Sequence, residues 1–454
     1  MILRPYQLDL ACEVIAVHEC MTRKVLAVLP TGGGKSTIIG FAALHDTGNI
    51  WVIAHRQELI RQLSGTLTRF DLPHGIVKSG YPFDPTQRIQ VASIQTLVKR
   101  HHMLPEPAMI IVDEAHHATS KSYITVTDSY PKSRVLGVTA TPCRLNGQGL
   151  GEVFEHMVLG PTTKWLTEQG FLAPAKYYAP PPVVDTSTLP VQAGDYAKKQ
   201  SDELMDKPAV TGDAVSHYRD LCDGQPMIVF CTSVSHAKNV AEEYCAAGYR
   251  AVSVDGKMKD EDRADAITGL ASGKYQIVTS CELIGEGLDV PVCSAIQILR
   301  PTKSLGLHLQ MLGRALRPME GKTAYILDHV GNVRNLGMAT TERQWTLEGK
   351  VKTKKAAVAG LKTCTSCFVV HEPSSTCPNC GFEYPKQTRA LIETLGGKLV
   401  EIHETKEERS EALKQARSMV ELIAFAKARG YKKPAFWARK VYHGRSYSGV
   451  MPRI

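Results

Sequence analysis

The stretch whose reading decides the fold is LPTGGGKST, residues 29–37. It follows an apolar run, VLAV, and opens an apolar helical pattern, TIIGFAAL. Consecutive glycines let backbone N–H groups curl around phosphate oxygens, and a helix that starts there turns its positive end toward the same anion. In that arrangement Thr31, Gly32, Gly33, Gly34 and Thr37 line the phosphates, Lys35 meets the β- and γ-phosphates, and Ser36 ligates Mg²⁺. Leu29 stands where the strict pattern GxxxxGK[ST] has its first glycine.

A phosphate loop of this kind needs a second half, an acidic residue at the end of an apolar strand. MIIVDEAHHA (109–118) supplies it. Asp113 is the candidate for the Mg²⁺ shell, and Glu114 for orienting and deprotonating the attacking water.

Around these two stretches, short apolar runs alternate with helical patterns twice over. The first series is VLAVLP (25–30), NIWVIAH (49–55), RIQVAS (88–93), MIIVDE (109–114) and RVLGVTAT (134–141). The second is MIVF (227–230), YRAVSV (249–254), QIVTS (276–280), AIQIL (295–299) and TAYILD (323–328). Continuous apolar strands alternating with helices predict parallel sheets covered on both faces. Two series predict two such domains, as a chain of 454 residues requires. With 43% hydrophobic and 22% charged residues the chain reads as globular. No window approaches the length of a membrane span, and MILRPYQLDL has no apolar leader core, so neither a membrane segment nor a cleaved leader is expected.

Five ordered motifs, PTGGGKS, DEAH, VTATP (138–142), GEGLDVP (285–291) and QMLGRALRP (310–318), resemble those of superfamily 2 helicases and translocases over residues 1–345. The resemblance implies two RecA-like domains with ATP bound between them. It places Arg4 and Gln7 of LRPYQ near adenine, and Gly287 and Asp289 near the ribose and metal side. It assigns Gln310, Arg314 and Arg317 to the γ-phosphate, and Thr139 and Thr141 to coupling hydrolysis with strand contact. Arg56 of AHRQEL, Gln95 and Thr96 of VASIQTL, and Thr232 and Thr279 of the second domain fall in segments that would grip a nucleic-acid backbone. Glu286 occupies a position where RNA-type DEAD-box proteins usually have Arg. The layout is similar to phage-encoded and bacterial DNA helicases of the repair, recombination and restriction branches. DNA is therefore the expected track, in single-stranded, forked or branched form, with replication or recombination proteins as further partners. An RNA helicase and a non-motor, ATP-switched DNA loader are the alternatives.

The net charge of +9 is unevenly spread. Residues 351–454 carry 19 Lys and Arg against 9 Glu, whereas the rest of the chain is nearly neutral. From Leu422 onward there are eight Lys or Arg, no acids, and interleaved aromatics. Cations neutralise phosphates and aromatic faces stack on bases, so Lys432, Lys433, Trp437 and Arg439 are candidate strand contacts. A small helical domain with buried aromatics and solvated lysines is the other reading.

Cys364, Cys367, Cys377 and Cys380 form two CxxC pairs, apart from eight scattered cysteines. Such scatter suits a reducing cytoplasm, of a bacterium or a phage-infected host, where paired CxxC favours metal over disulfide. Four thiolates close a tetrahedral Zn²⁺ shell with no open position, so this metal is expected to be structural. His371, between the pairs, is a possible substitute ligand.

The expected organisation is α/β: RecA-like domain 1 over 1–175, a linker over 176–205, RecA-like domain 2 over 206–347, a basic linker over 348–362, a four-cysteine zinc ribbon over 363–386 and a basic, mainly helical region over 387–454. The expected cofactors are ATP, Mg²⁺ and structural Zn²⁺.

Overall fold

The structure is a computed structural model. It describes residues 3–144, 146–179, 189–192, 194–206, 208–256, 258–281, 290, 292–350, 360–384, 412, 413, 415, 416, 418–431 and 433–447. Gly287, Asp289 and Lys432 lie outside the described residues. The chain divides into two compact units, Met1–Tyr384 and Pro385–Ile454.

The larger unit is built on two sheets. The first holds β1 (Lys24–Val28), β2 (Ile50–Ala54), β3 (His74–Val77), β4 (Ile89–Ser93), β5 (Met109–Asp113), β6 (Arg134–Thr139) and β7 (His156–Leu159). Their order is β3-β4-β2-β5-β6-β1-β7, with every pairing parallel. All residues of β2, β4 and β5 are buried. Burial on both faces accounts for the apolar runs of β2 and β5. β3 and β7 escape the apolar-run reading because they are short edge strands with half-exposed residues.

The second sheet begins where the first domain was expected to end. After β8 (Ala175–Tyr178) and a small hairpin, β9 (Val191–Gln192) with β10 (Asp195–Tyr196), come β11 (Met227–Phe230), β12 (Ala251–Val254), β13 (Ile277–Ser280), β14 (Ala295–Ile298) and β15 (Ala324–Asp328). A further hairpin, β16 (Trp345–Thr346) with β17 (Gly349–Lys350), precedes β18 (Lys362–Thr363) and β19 (Val369–His371). The sheet order is β12-β13-β11-β14-β15-β8-β19-β18.

Three expected boundaries therefore shift. Residues 176–178 of the expected linker lie in β8, which pairs parallel with β15. At the linker's other end, the helix Lys198–Met205 buries Met205 and sets Asp202 against the Thr232 hydroxyl at 2.8 Å, so it packs with the second domain. Residues 348–350 fold back on domain 1, where Gly349 bridges to Gln148 and the Leu347 carbonyl accepts from the Gly151 N–H at 2.8 Å. The cysteine segment is no separate module either. β19 pairs antiparallel with β8, so the hairpin β18–β19 extends the second sheet.

The smaller unit contains two described helices, Met419–Ala428 and Pro434–Tyr447. The first opens on a reciprocal cap between Ser418 and Glu421. Leu422, Ala438 and Ala416 are its buried centre.

Candidate functional site

β1 ends at Val28; the next residue, Leu29, donates its N–H to the Thr139 carbonyl at 3.0 Å, and the chain then turns through the glycines into the helix Lys35–His45. Gly34 sits at the start of that helix with φ +94°. A Cβ there would collide with Gln7 Nε2, so glycine is needed both for conformation and for space. The Gly33 carbonyl accepts from the Tyr6 hydroxyl (2.8 Å) and from Gln7 Nε2 (3.1 Å). Gln7 Oε1 in turn accepts the Arg4 N–H at 3.0 Å. Both ends of the Gln7 amide are thus engaged by protein, and the N-terminal helix braces the phosphate loop through Tyr6 and Gln7. The Arg4 guanidinium lies 4.9 Å above the Phe171 ring. Sequence reasoning passed over Tyr6, although it stands inside the quoted LRPYQ.

β5, two strands from β1 in the sheet, carries the acidic pair to the same end. Asp113 and Glu114 are both buried. Asp113 Oδ1 accepts the Glu114 N–H at 3.0 Å, and Glu114 has φ +48°, a strained value for a side chain of this size. Lys35 Nζ is 3.7 Å from Glu114 Oε1, and His116 Nδ1 is 3.4 Å from Glu114 Oε2. Glu114 Oε2 is buried and makes no hydrogen bond among the described residues. Ser36 Oγ accepts from Gln62 Nε2 at 3.2 Å, a contact that brings the helix Gln57–Arg69 to the site and that no motif announced.

The opposite wall comes from the second domain. The helix Leu305–Ala315 carries Gln310 and Arg314, and Arg317 follows it. A Cβ on Gly313 would strike Thr31, and Gly306 faces Thr141 on the same helix. Those two glycines let the helix lie directly against the phosphate loop and the VTATP turn. Arg4, Gln7, Thr31, Gly32, Gly34, Lys35, Ser36, Thr37, Gln62, Asp113, Glu114, Arg314 and Arg317 line one cleft of about 380 Å³. Gln310, one turn earlier, is buried and outside that lining, and Gly33 sits behind the loop. The residue set fits a nucleotide triphosphate and its metal: a glycine cradle, a lysine, two arginines and a buried pair of carboxylates. Ser36 and Asp113 would hold Mg²⁺ there, and the ion would neutralise phosphate charge.

That arginine-bearing helix is anchored by a buried histidine. His308 Nε2–H donates to the Gly337 carbonyl at 2.9 Å, while Nδ1 is buried without a hydrogen-bond partner among the described residues. Burial lowers its pKa to about 4, and lowers that of His329 to about 3. Both rings are therefore neutral when folded, whereas the unfolded chain takes up protons near pH 6.5. Stability is undiminished above pH 6.5 and falls as pH drops toward 4, by roughly 3 kcal/mol for His308 alone. Melting temperature measured from pH 7.5 to 4.5 should show this slope, and His308→Gln should flatten it.

Among the nucleic-acid candidates, Arg56 and Gln95 are neighbours because β2 and β4 are adjacent parallel strands. Gln95 is exposed and its Nε2 donates to the His55 carbonyl at 3.0 Å; Arg56 Nε donates to His55 Nε2 at 3.3 Å. Thr96 is half-buried beside them. Thr232 and Thr279 are not at a surface. Thr279 is fully buried in β13 with its hydroxyl donated to the Ala237 carbonyl at 2.6 Å, and Thr232 is turned to Asp202 and His236. β13 is buried at every position, on both faces, so no side chain of this strand reaches a surface, a fact invisible in a motif match. In the smaller unit Trp437 stacks on Phe425 (centroids 5.7 Å apart, 12°) and meets Tyr431 edge-on, so it is a packing residue. The exposed ring is its neighbour Phe436, 70% accessible, with Arg439 also exposed on that helix and Lys433 exposed just before it. The helical phase of Trp437, Ala438, Val441 and Tyr442 would have shown which ring faces inward.

Sγ atoms of Cys364, Cys367, Cys377 and Cys380 all lie within 4.8 Å of one another. Cys364–Cys380 and Cys367–Cys377 are both 3.7 Å apart. A tetrahedron with Zn–S bonds of about 2.3 Å has edges of roughly 3.8 Å, so the four thiols fit that ion. Ser366 N–H and Asn379 Nδ2 point at Cys364 and Cys367 sulfurs, as suits thiolate ligands. His371 is no substitute ligand. Its two ring nitrogens engage the Glu372 carbonyl and the Tyr384 hydroxyl, each at 2.6 Å.

A two-sheet cleft with a phosphate loop on one wall and arginines on the other defines a two-domain ATPase whose nucleotide site is shared between the domains. Comparison with known proteins agrees. Residues 1–144 match the family model "Type III restriction enzyme, res subunit", and residues 213–319 match "Helicase conserved C-terminal domain". A 51.5 kDa protein of a Lactococcus phage is 32% identical over 362 residues, covering 78% of this chain and 77% of that one. The ATP-dependent helicase IRC3 of Saccharomyces cerevisiae is 26% identical, covering 73% of this chain and about half, 52%, of its own. In fold, an HsdR-subunit fragment of a Vibrio vulnificus type I restriction enzyme matches with TM-score 0.60 at 17% identity, covering 74% of this chain and 66% of that one. The type ISP restriction-modification enzyme LlaBIII, solved bound to DNA, matches with TM-score 0.53 at 18% identity, covering 72% and 28%. The chain belongs to the superfamily 2 helicases and is an ATP-hydrolysing enzyme of that family.

Proposed function

We propose that this helicase is a DNA motor, in which ATP turnover between the two sheets moves or remodels a bound DNA strand. The observation that carries the motor reading is the shared cleft: Lys35, Asp113 and Glu114 from one domain face Arg314 and Arg317 from the other. A site completed by two domains is made and unmade as they close and open, and a strand held by both is displaced in the process. Arg56, Gln95 and Thr96 are the proposed grip on domain 1. DNA is favoured by the restriction-enzyme family model over residues 1–144, by the DNA-bound LlaBIII of the same fold, and by the acid-free basic C-terminus. In that C-terminus Lys433 and Arg439 are the proposed phosphate contacts. The cysteine cluster holds one structural Zn²⁺ per chain.

The test is the ATPase rate without nucleic acid and with single-stranded, duplex and branched DNA and with RNA. DNA is expected to stimulate turnover most. Stimulation by RNA alone would transfer the assignment to an RNA remodeller, and indifference to every polynucleotide would leave an ATP-driven switch.

A further inference from the structure

The turn Ala115–His117 begins at strained Glu114 and carries two histidines in succession. His116 Nδ1 faces Glu114 Oε2 and Thr139 Oγ1, each at 3.4 Å. The His117 ring lies 4.2 Å from that of His116, tilted by 42°, and 4.1 Å from that of His55, tilted by 54°. His55 follows β2, its Nε2 accepts from Arg56, and its carbonyl accepts from Gln95. Because β2 and β5 are adjacent and parallel, with Ile53 opposite Val112, the residues just beyond both strands must meet. A continuous row of contacts therefore runs Glu114–His116–His117–His55–Arg56, with Gln95 attached.

His117 is the joint of that row. It is half-buried and touches rings on both sides. The left-handed backbone at Glu114 sets the direction of its carboxylate, so a small shift of the turn re-aims that group. We propose that His117 is a positioning residue that couples a strand seated at His55–Arg56 and Gln95 to the orientation of Glu114. The proposal rests on the reading that this segment grips DNA. It needs no proton transfer by the histidines; the rings act as packed bodies.

The test combines steady-state ATPase with anisotropy of a fluorescein-labelled single-stranded DNA, on the full chain. His117→Ala leaves Lys35, Glu114 and the two arginines in place, and leaves Arg56 and Gln95 in place. Unstimulated turnover and DNA affinity are therefore expected to stay at wild-type values, while stimulation by DNA drops about tenfold. His117→Phe keeps a ring between His116 and His55 and should restore most of the stimulation. Full stimulation of His117→Ala overturns the proposal. So does a loss of unstimulated turnover in both variants, which is the mark of a merely structural residue. Arg56→Ala tests the underlying reading separately. Undiminished DNA binding by that variant would show that the segment is not the grip, and the coupling assigned to it falls with it.

Discussion

Glu114→Gln is expected to bind ATP with near wild-type affinity and to turn it over roughly 10²–10⁴-fold more slowly, the contribution of a positioned general base. Glutamine keeps the shape and the left-handed turn but cannot accept a proton. The cradle at Thr31–Thr37 and the arginine wall are untouched, so binding survives. Losing the negative charge 3.7 Å from Lys35 also frees that ammonium for phosphate, which works against any loss of affinity. Nucleotide binding by fluorescence titration and single-turnover hydrolysis separate the two effects. Wild-type turnover would show that another group activates the water.

Cys377→Ser is expected to abolish stoichiometric zinc and to unfold the hairpin β18–β19. Structural zinc supplies roughly 10–16 kcal/mol to small folds of this kind. The segment has little else, since its strands are two and three residues long and Cys364 and Cys377 are among its few buried side chains. Zinc analysis should fall from one per chain, and amide exchange over residues 360–384 should become fast. β8 then loses its antiparallel neighbour and becomes an edge, so exchange at Tyr177 and Tyr178, which pair with Val370 and Val369, should quicken too. Retained zinc with unchanged protection would remove the four-cysteine site. A serine variant that loses metal but keeps β19 paired with β8 would show that the sheet, not the ion, holds the hairpin.

Much of the cleft was legible in the sequence for a local reason. The phosphate loop, the strand before it and the acidic pair are each written in a few consecutive residues. The demands on them, positive φ, apolar burial and charge at a strand end, act over that same short range. The two-domain α/β fold followed from strand–helix alternation alone. The misreadings share a cause as well. Thr279 sits inside a matched motif, yet its strand is covered on both faces and its hydroxyl is spent on the Ala237 carbonyl. Trp437 and Phe436 are adjacent and chemically alike, and only the packing of one helix on another separates the buried ring from the exposed one.

By itself, the sequence determined the phosphate cradle, the acidic pair at a strand end, the four thiols and the class of fold, because each is enforced by neighbours along the chain. The tertiary structure decided what those parts face. It brought Gly313 onto Thr31, and so Arg314 and Arg317 into the nucleotide cleft, through contact between segments far apart in sequence. It made the cysteine hairpin part of the second sheet, because the open edge of β8 offers unpaired backbone groups that another strand must satisfy. It set the His117 ring against that of His55 because β2 and β5 lie side by side, an adjacency set by sheet order that no local pattern records.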